Sequence, residues 1–232
     1  MNILFFSSYP FFSGSHKMAL SFAEIAKEAG HNVVLGAPED NEYLQRGKEL
    51  GLETQVFQAP PALLETQGKL LRGGKISKIW IFLSKIVPYC VCSSRQLRKK
   101  RFDLVYFAQE RGVIQFGLAA KFAGIPALWH IQGNLGIKNA LFHKLAAAFV
   151  QNILCVSQSV YRNISTFISH RKLKQVAVIH NGIKDLPFAG VAGENAVFTV
   201  VFAGNIAPHR GAHVLIDAAV QVQGRLKILL AG

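Results

Sequence analysis

Acidic residues are scarce in this chain. Its 232 residues include 13 Asp and Glu against 26 Lys and Arg, a formal charge of +13. Aspartate occurs only at positions 40, 103, 185 and 217, and no D-x-D pair is present. The one acid cluster, Glu39, Asp40 and Glu42, reads as the opening of a surface helix. Paired carboxylates for acid/base work are not visible. Cysteine is scarce too. Three cysteines, an odd number in a chain too long to need staples, exclude a disulfide scaffold and suit a reducing, intracellular setting. Cys90-x-Cys92 lacks the companion ligands of a zinc site. There is no G-x-S-x-G elbow, no G-x-x-x-x-G-K-[ST] loop and no G-x-G-x-x-G fingerprint. The last absence counts against a nicotinamide-dependent oxidoreductase. Long apolar runs are missing as well. The stretch from Ile76 to Cys92 is interrupted by Lys78, Lys85 and Pro88, whereas a spanning helix needs ~20 mostly apolar residues. The apolar start, Met1 to Phe6, has no basic residue before it and breaks at Ser7-Ser8-Tyr9-Pro10, so it reads as a first strand.

What remains describes a folded α/β chain. Hydrophobic residues make up 50% of the sequence, enough for a sizeable core. Short apolar runs recur at 2–7, 32–37, 54–57, 103–107, 126–131, 153–156, 176–180, 197–203 and 226–231. Several are apolar throughout, as strands buried on both faces should be. Helical patterns lie between them, at 15–29, 111–123, 138–151, 158–168 and 211–222. In the first, Met18, Phe22, Ile25 and Ala26 share one face and Gly30 supplies the stop. The alternation predicts a Rossmann-like parallel sheet with helices on both faces. A Pro/Gly-containing linker at 185–195 precedes a further βαβ unit. The expected division is therefore a domain at 1–188 and an incomplete second Rossmann-like domain at 189–232.

Ligands in such sheets sit at the carboxyl ends of the strands. After the first strand, Ser7 to His16 places Gly14 just ahead of a helix, whose free N–H groups suit an anion. An N-capped turn explains these residues equally well, and a solvated His16 is expected. Gln109, Glu110 and Arg111 follow strand 103–107, where a polar loop opening the next helix is the simpler reading. His130, in Leu-Trp-His-Ile-Gln-Gly, stands at a strand mouth made polar by Gln132, Gly133 and Asn134. A ligand role and a satisfied core position are balanced there. Ser157 is expected to cap a helix. Asn181-Gly182 is a tight-turn signal. Gly204 to Gly211 is a glycine-bounded loop with Arg210, an arrangement that suits a diphosphate and is equally well read as a plain loop.

The segment 67–102 is strongly basic, with ten Lys or Arg and no acid from Gln67 to Phe102. Ile76, Ile79, Trp80, Leu83 and Ile86 form one helical stripe beside Lys75, Lys78 and Lys85. The pattern fits a helix on an anionic membrane surface, or a packed helix with a solvated basic face. No nucleic-acid-binding module is recognisable.

Taken in order, these segments resemble the retaining glycosyltransferases of family four, which have the GT-B fold. Ser7-Ser8-Tyr9-Pro10 with Gly14 resembles the family's first loop, and Gly30-His31-Asn32-Val33 its G-H-x-V. His130 matches an active-site histidine position, and Cys155-Val156-Ser157 resembles a "V-S" helix opening. Val178 to Ile183 resembles V-I-x-N-G-I. Phe202 to Gly211, then Leu215-Ile216-Asp217-Ala218, resembles G-R-x-x-x-x-K-G…L-I-x-A. Asn205 stands where an arginine is common, and Arg210 where a lysine is.

The resemblance implies two Rossmann-like domains facing a cleft, the first for the acceptor and the second for a nucleotide-diphosphate sugar. It assigns a catalytic role to His130 and the donor diphosphate to Gly14, Gly204, Asn205 and Arg210. Ser15, His16, Glu110 and Asn181 would line the cleft. No cofactor or metal is expected. The implied acceptor is a glycan or lipid-linked acceptor of the cell envelope, met at the cytoplasmic face of the membrane through 67–102. The family's E-x7-E segment would lie beyond Gly232, so the sequence reads as a fragment that is inactive alone. The rival expectation is a non-catalytic remnant that binds anionic lipid.

Overall fold

Strands that are apolar on both faces need helices on both faces. A computed structural model, which describes residues 1–64, 80–136, 140–182, 197–204, 206–222 and 224–231, shows that arrangement. The chain divides into two units, Met1–Gly182 and Ile183–Gly232.

The first unit begins with β1 (Asn2–Phe6), α1 (Gly14–Glu28), β2 (Asn32–Ala37), α2 (Glu42–Glu49), β3 (Glu53–Val56) and the short α3 (Pro61–Leu64). A π-helical turn, Phe82–Ile86, leads into α4 (Val87–Lys99). Then come β4 (Leu104–Phe107), α5 (Glu110–Ala123), β5 (Ala127–Ile131), α6 (Ala140–Phe149), β6 (Asn152–Cys155), α7 (Gln158–Ser165), α8 (His170–Leu173) and β7 (Val176–Val178). The seven strands form one sheet in the order β3-β2-β1-β4-β5-β6-β7. All neighbours are parallel, with Ile3 of β1 opposite Val33 of β2 on one side and Leu104 of β4 on the other. This is the α/β, Rossmann-like sheet expected from the alternation of strands and helices.

Alternation along β1 builds two cores at once. Leu4 and Phe6 join Val105, Phe107, Phe116 and Trp129 beneath α4 to α7. Ile3 and Phe5 turn the other way, to Ala19, Leu20, Ala23, Tyr43 and Leu44 of α1 and α2. Phe6 stacks on Phe116, with ring centroids 3.9 Å apart.

The helix ends follow local chemistry. Asn41 and Ser157 cap α2 and α7, accepting from the N–H groups of Leu44 and Val160. Gly124 closes α5 in the left-handed conformation, φ 74°. Helix α7 stops at Ser165, earlier than the pattern 158–168, because the chain turns to bury Phe167. The basic segment is helical over its described part. Pro88 follows the π-helical turn within a continuous helical run, so its missing N–H falls where the widened turn interrupts the regular bonding. Its apolar stripe splits: Ile86 is buried, while Trp80 and Leu83 are 70% and 57% exposed. Residues Lys69, Arg72, Lys75, Ile76, Lys78 and Ile79 lie outside the described residues.

The second unit contains β8 (Phe198–Ala203), a 3-10 turn (Pro208–Arg210), α9 (Ala212–Val220) and β9 (Leu226–Ala231). β8 and β9 pair in parallel, with Phe198 opposite Leu226. Among the described residues no helix is long and apolar enough to cross a membrane.

Candidate active site

The sheet order changes direction between β1 and β4, since β2 and β3 lie to one side and β5 to β7 to the other. Such a switch point opens a crevice at the carboxyl ends of the two strands. Ser7 follows β1 and Gln109 follows β4, and the two meet there. The N–H of Ser13 donates to His16 Nδ1 at 3.1 Å. With Nδ1 accepting, the ring proton is on Nε2, which meets Ser7 Oγ at 2.7 Å. Ser7 Oγ donates to Gln109 Oε1 at 2.7 Å, and Gln109 Nε2 donates to Ser15 Oγ at 2.9 Å. One neutral imidazole thus ties the first loop to the start of α5.

His16 is fully buried, which corrects the solvated histidine expected from sequence. It stands at the third position of α1, where a side chain reaches back to the cap N–H as Glu does in a capping box. The rings of Phe12 and Tyr43 cover it, with centroids 5.5 and 5.1 Å away. Burial lowers its pKa from 6.5 to about 4. Gly14 begins the same helix, with open space where a Cβ would be.

His130 ends one link of a second polar chain. It lies in β5 and is 2% exposed. Tyr106 O–H and Gln132 Nε2–H both donate to its Nδ1, at 2.7 and 3.1 Å. Asn181, beyond β7, donates from Nδ2 to Gln132 Oε1 at 2.8 Å. The proton of His130 is therefore on Nε2, which is buried with no partner in the described structure. Phe22 of α1 packs on the ring, centroids 5.5 Å apart. Burial lowers the His130 pKa to about 4 as well. Gln132 itself is half-buried and Asn181 exposed, so this chain reaches the surface through its amides.

Glu110 opens α5, where the helix dipole favours an acid. Its carboxylate meets His143 Nδ1, and His143 Nε2 donates to the Gly136 carbonyl at 2.7 Å. A carbonyl only accepts, so Nε2 carries a proton. Glu110 and His143 Nδ1 then share one further proton between them. Burial raises the Glu110 pKa, and the bond to His143 opposes that rise. Sequence singled out Glu110 but not His143, because His143 lies 33 residues away on α6.

In the second unit, Gly204 follows β8 at φ 142° and donates its N–H to the Ala231 carbonyl at 2.7 Å. Arg210 is exposed at the end of the 3-10 turn, and Gly211 turns into α9 at φ 80°. Asn205 lies outside the described residues. The three cysteines are free, with Cys90 and Cys155 buried. Among the described residues no cluster of His, Cys, Asp and Glu is placed to hold a metal ion.

The family profile described as Glycosyltransferase Family 4 matches residues 12–185, about three quarters of the chain. No curated protein matches the sequence. Among solved structures, HepE of Anabaena in complex with UDP-glucose is similar at TM-score 0.73 and 16% identity, over 99% of this chain and 60% of that one. MurG of Acinetobacter baumannii is similar at TM-score 0.60 and 15% identity, over 99% of this chain and 58% of that one. The lipopolysaccharide outer core galactosyltransferase WaaB is similar at TM-score 0.63 and 13% identity, over 99% and 60%. At these identities the likeness is one of fold, and the chain spans about 60% of the length of the first structures it matches. The crevice between β1 and β4 lies largely within the matched segment. The chain belongs to Glycosyltransferase Family 4.

Proposed function

We propose that this protein transfers a sugar from a nucleotide-diphosphate donor to a glycan or lipid-linked acceptor. The observation that carries the reading is the polar switch-point cluster Ser7-His16-Gln109-Ser15, of which Ser15, His16 and Gln109 lie inside the matched segment. The half-buried Ser15 hydroxyl and Gln109 amide suit sugar hydroxyls and phosphate oxygens. HepE was solved with UDP and with UDP-glucose, which supports a nucleotide sugar as the donor here. In this reading residues 1–188 serve the acceptor side and 189–232 belong to the nucleotide-sugar side. Gly14, Gly204, Asn205 and Arg210 would meet the diphosphate. Ser15, His16, Glu110, His130 and Asn181 would shape the reacting centre. Glycosyl transfer leaves charge on the departing nucleotide, and fixed cations and N–H dipoles are the means of stabilising it. Arg210 and the loop amides supply these without a metal.

Calorimetric titration with nucleotide sugars tests the donor assignment. Arg210→Ala should weaken binding about 10- to 100-fold, as loss of a charge-assisted pair does. Equal affinity for the wild type and the variant would remove Arg210 from the site.

A peripheral place at the anionic face of a membrane, with a cell-envelope acceptor, is the second part of the proposal. Trp80 and Leu83 stand exposed beside exposed Lys85, at the entry to α4. An exposed aromatic and aliphatic three residues apart, with a cation on the next turn, suit a headgroup boundary. Co-sedimentation should favour anionic over neutral vesicles and weaken in Trp80→Ala. Equal binding to both vesicle types would sink this part and leave the donor assignment intact.

A further inference from the structure

The loop 132–136, which follows β5 at the mouth of the strands, is held from several sides. Gln132 bonds to Tyr106 of β4, and its Oε1 accepts from Asn181 Nδ2 at 2.8 Å. Asn163 of α7 brackets Leu135, its Oδ1 accepting from the N–H at 2.7 Å and its Nδ2 donating to the carbonyl at 3.3 Å. His143 of α6 donates from Nε2 to the Gly136 carbonyl at 2.7 Å. The His143 ring is buried against Phe167, and its other nitrogen meets Glu110. An imidazole bonded at both nitrogens is fixed in place. Glu110 follows Gln109 of the switch-point cluster, so His143 also ties this loop to the crevice. Between the anchors, Gly133 and Asn134 are exposed. Gly133 has open space where a Cβ would be, and among the described residues the Asn134 carboxamide bonds to no protein group.

We propose that loop 132–136 is a preset sugar-binding loop, in which Asn134 meets a sugar hydroxyl and His143 is the positioning residue that holds the loop for it. The proposal rests on the functional reading above and names contacts within it. Loops carry ligand contacts when a rigid scaffold presents them. A loop ordered before binding spares the complex that loss of entropy. The tip is neutral, since residues 132–136 are Gln, Gly, Asn, Leu and Gly. A carboxamide offers two N–H donors and two lone pairs. A hydroxyl both donates and accepts, so it uses both kinds. A phosphate oxygen only accepts, and no cation in the loop balances its charge. The ligand class is therefore a sugar hydroxyl, from the donor sugar or from the acceptor. A carboxamide does not titrate under ordinary conditions, so the contact orients the sugar and performs no acid or base step. His143 touches no substrate and acts through the Gly136 carbonyl.

The test follows the amide resonances of Gly133 and Asn134 by NMR in the native protein at its natural length, titrated with UDP, UDP-glucose and methyl glucoside. Shifts with UDP-glucose that UDP does not produce assign the loop to the donor sugar. Shifts with methyl glucoside, and none with UDP-glucose beyond those of UDP, assign it to an acceptor sugar. Binding of nucleotide with no sugar-dependent shift at the loop overturns the proposal alone. No binding of UDP, UDP-glucose or methyl glucoside overturns the functional reading and the proposal with it. Asn134→Ala should weaken the sugar that shifts the loop about 3- to 10-fold, the loss expected for hydrogen bonds between neutral groups, and leave UDP affinity within about twofold. An unchanged sugar affinity removes Asn134 from the contact and overturns the proposal. His143→Leu should weaken the same sugar to a similar extent, and His143→Gln, which keeps a donor for the Gly136 carbonyl, should restore most of the loss. The double variant Asn134→Ala/His143→Leu should fall no further than Asn134→Ala, since residues acting in series are not additive. A purely structural His143 would lower the melting temperature in both variants and leave sugar affinity unchanged, which overturns the positioning role. Where His143→Leu does not fold, Asn163→Ala removes the neighbouring anchor at Leu135 and gives the same readout.

Discussion

Two neutral histidines in the first unit give it an acid-sensitive stability. His16 and His130 are each held at a pKa of about 4, because burial penalises the imidazolium. In the unfolded chain each returns to about 6.5. As pH falls through that range, the unfolded chain takes up a proton at each site and the folded chain refuses it. Stability is therefore full above about pH 6.5 and is lost as pH falls toward about 4. A shift of this size amounts to about 3 kcal/mol per histidine once the folded-state pKa is reached. Through the middle of the window, each contributes a slope of about 1.4 kcal/mol per pH unit. Urea unfolding followed by circular dichroism at about pH 7, 6 and 5 reads this slope, at constant ionic strength. The informative comparison is with His16→Gln. That variant loses the bond to Ser7 and should be less stable at about pH 7. Its stability should then fall less steeply, so the gap to wild type closes by about 1.4 kcal/mol per pH unit. Parallel curves for the two proteins would refute the claim that burial holds His16 neutral.

Other substitutions probe the packing and the links around the crevice. Gly47 of α2 lies against the fully buried Leu35, and a Cβ there would overlap the Leu35 side chain. Gly47→Ala should lower unfolding free energy by about 1–3 kcal/mol in a denaturant titration. Glu110→Ala strips the partner from His143 and should cost about 1–3 kcal/mol, reduced from a fully buried pair because Glu110 is partly exposed. Glu110→Gln keeps a donor for His143 Nδ1 and should cost clearly less in the same assay. Ser157→Ala removes the α7 cap and should cost about 1 kcal/mol, read as a lower midpoint in thermal melting.

Strands were readable in the sequence because burial on both faces writes itself as an unbroken apolar run. Leu4 and Phe6 serve one core and Ile3 and Phe5 the other, so neither periodicity nor polarity interrupts β1. The cap at Ser157 and the stop at Gly30 were readable because they act within three residues. The site was less readable, because its bonds join distant segments. Ser7 and Gln109 are 102 residues apart, and Gln132 and Asn181 are 49 apart. Little near His16 marks it as buried, since Phe12 covers one side only and Tyr43, on α2, completes the cover. Gln132 reads in the sequence only as part of the polar stretch that follows His130. Burial of the His130 ring is a property of the packed sheet and α1, and no local pattern encodes it.

The decisive measurement is release of nucleoside diphosphate from a panel of nucleotide sugars by the native protein, with and without a chelator. Release from at least one donor, unchanged by chelation and reduced in Arg210→Ala, is the predicted result. No release and no binding with any donor on the panel would contradict glycosyl transfer as the function of this protein.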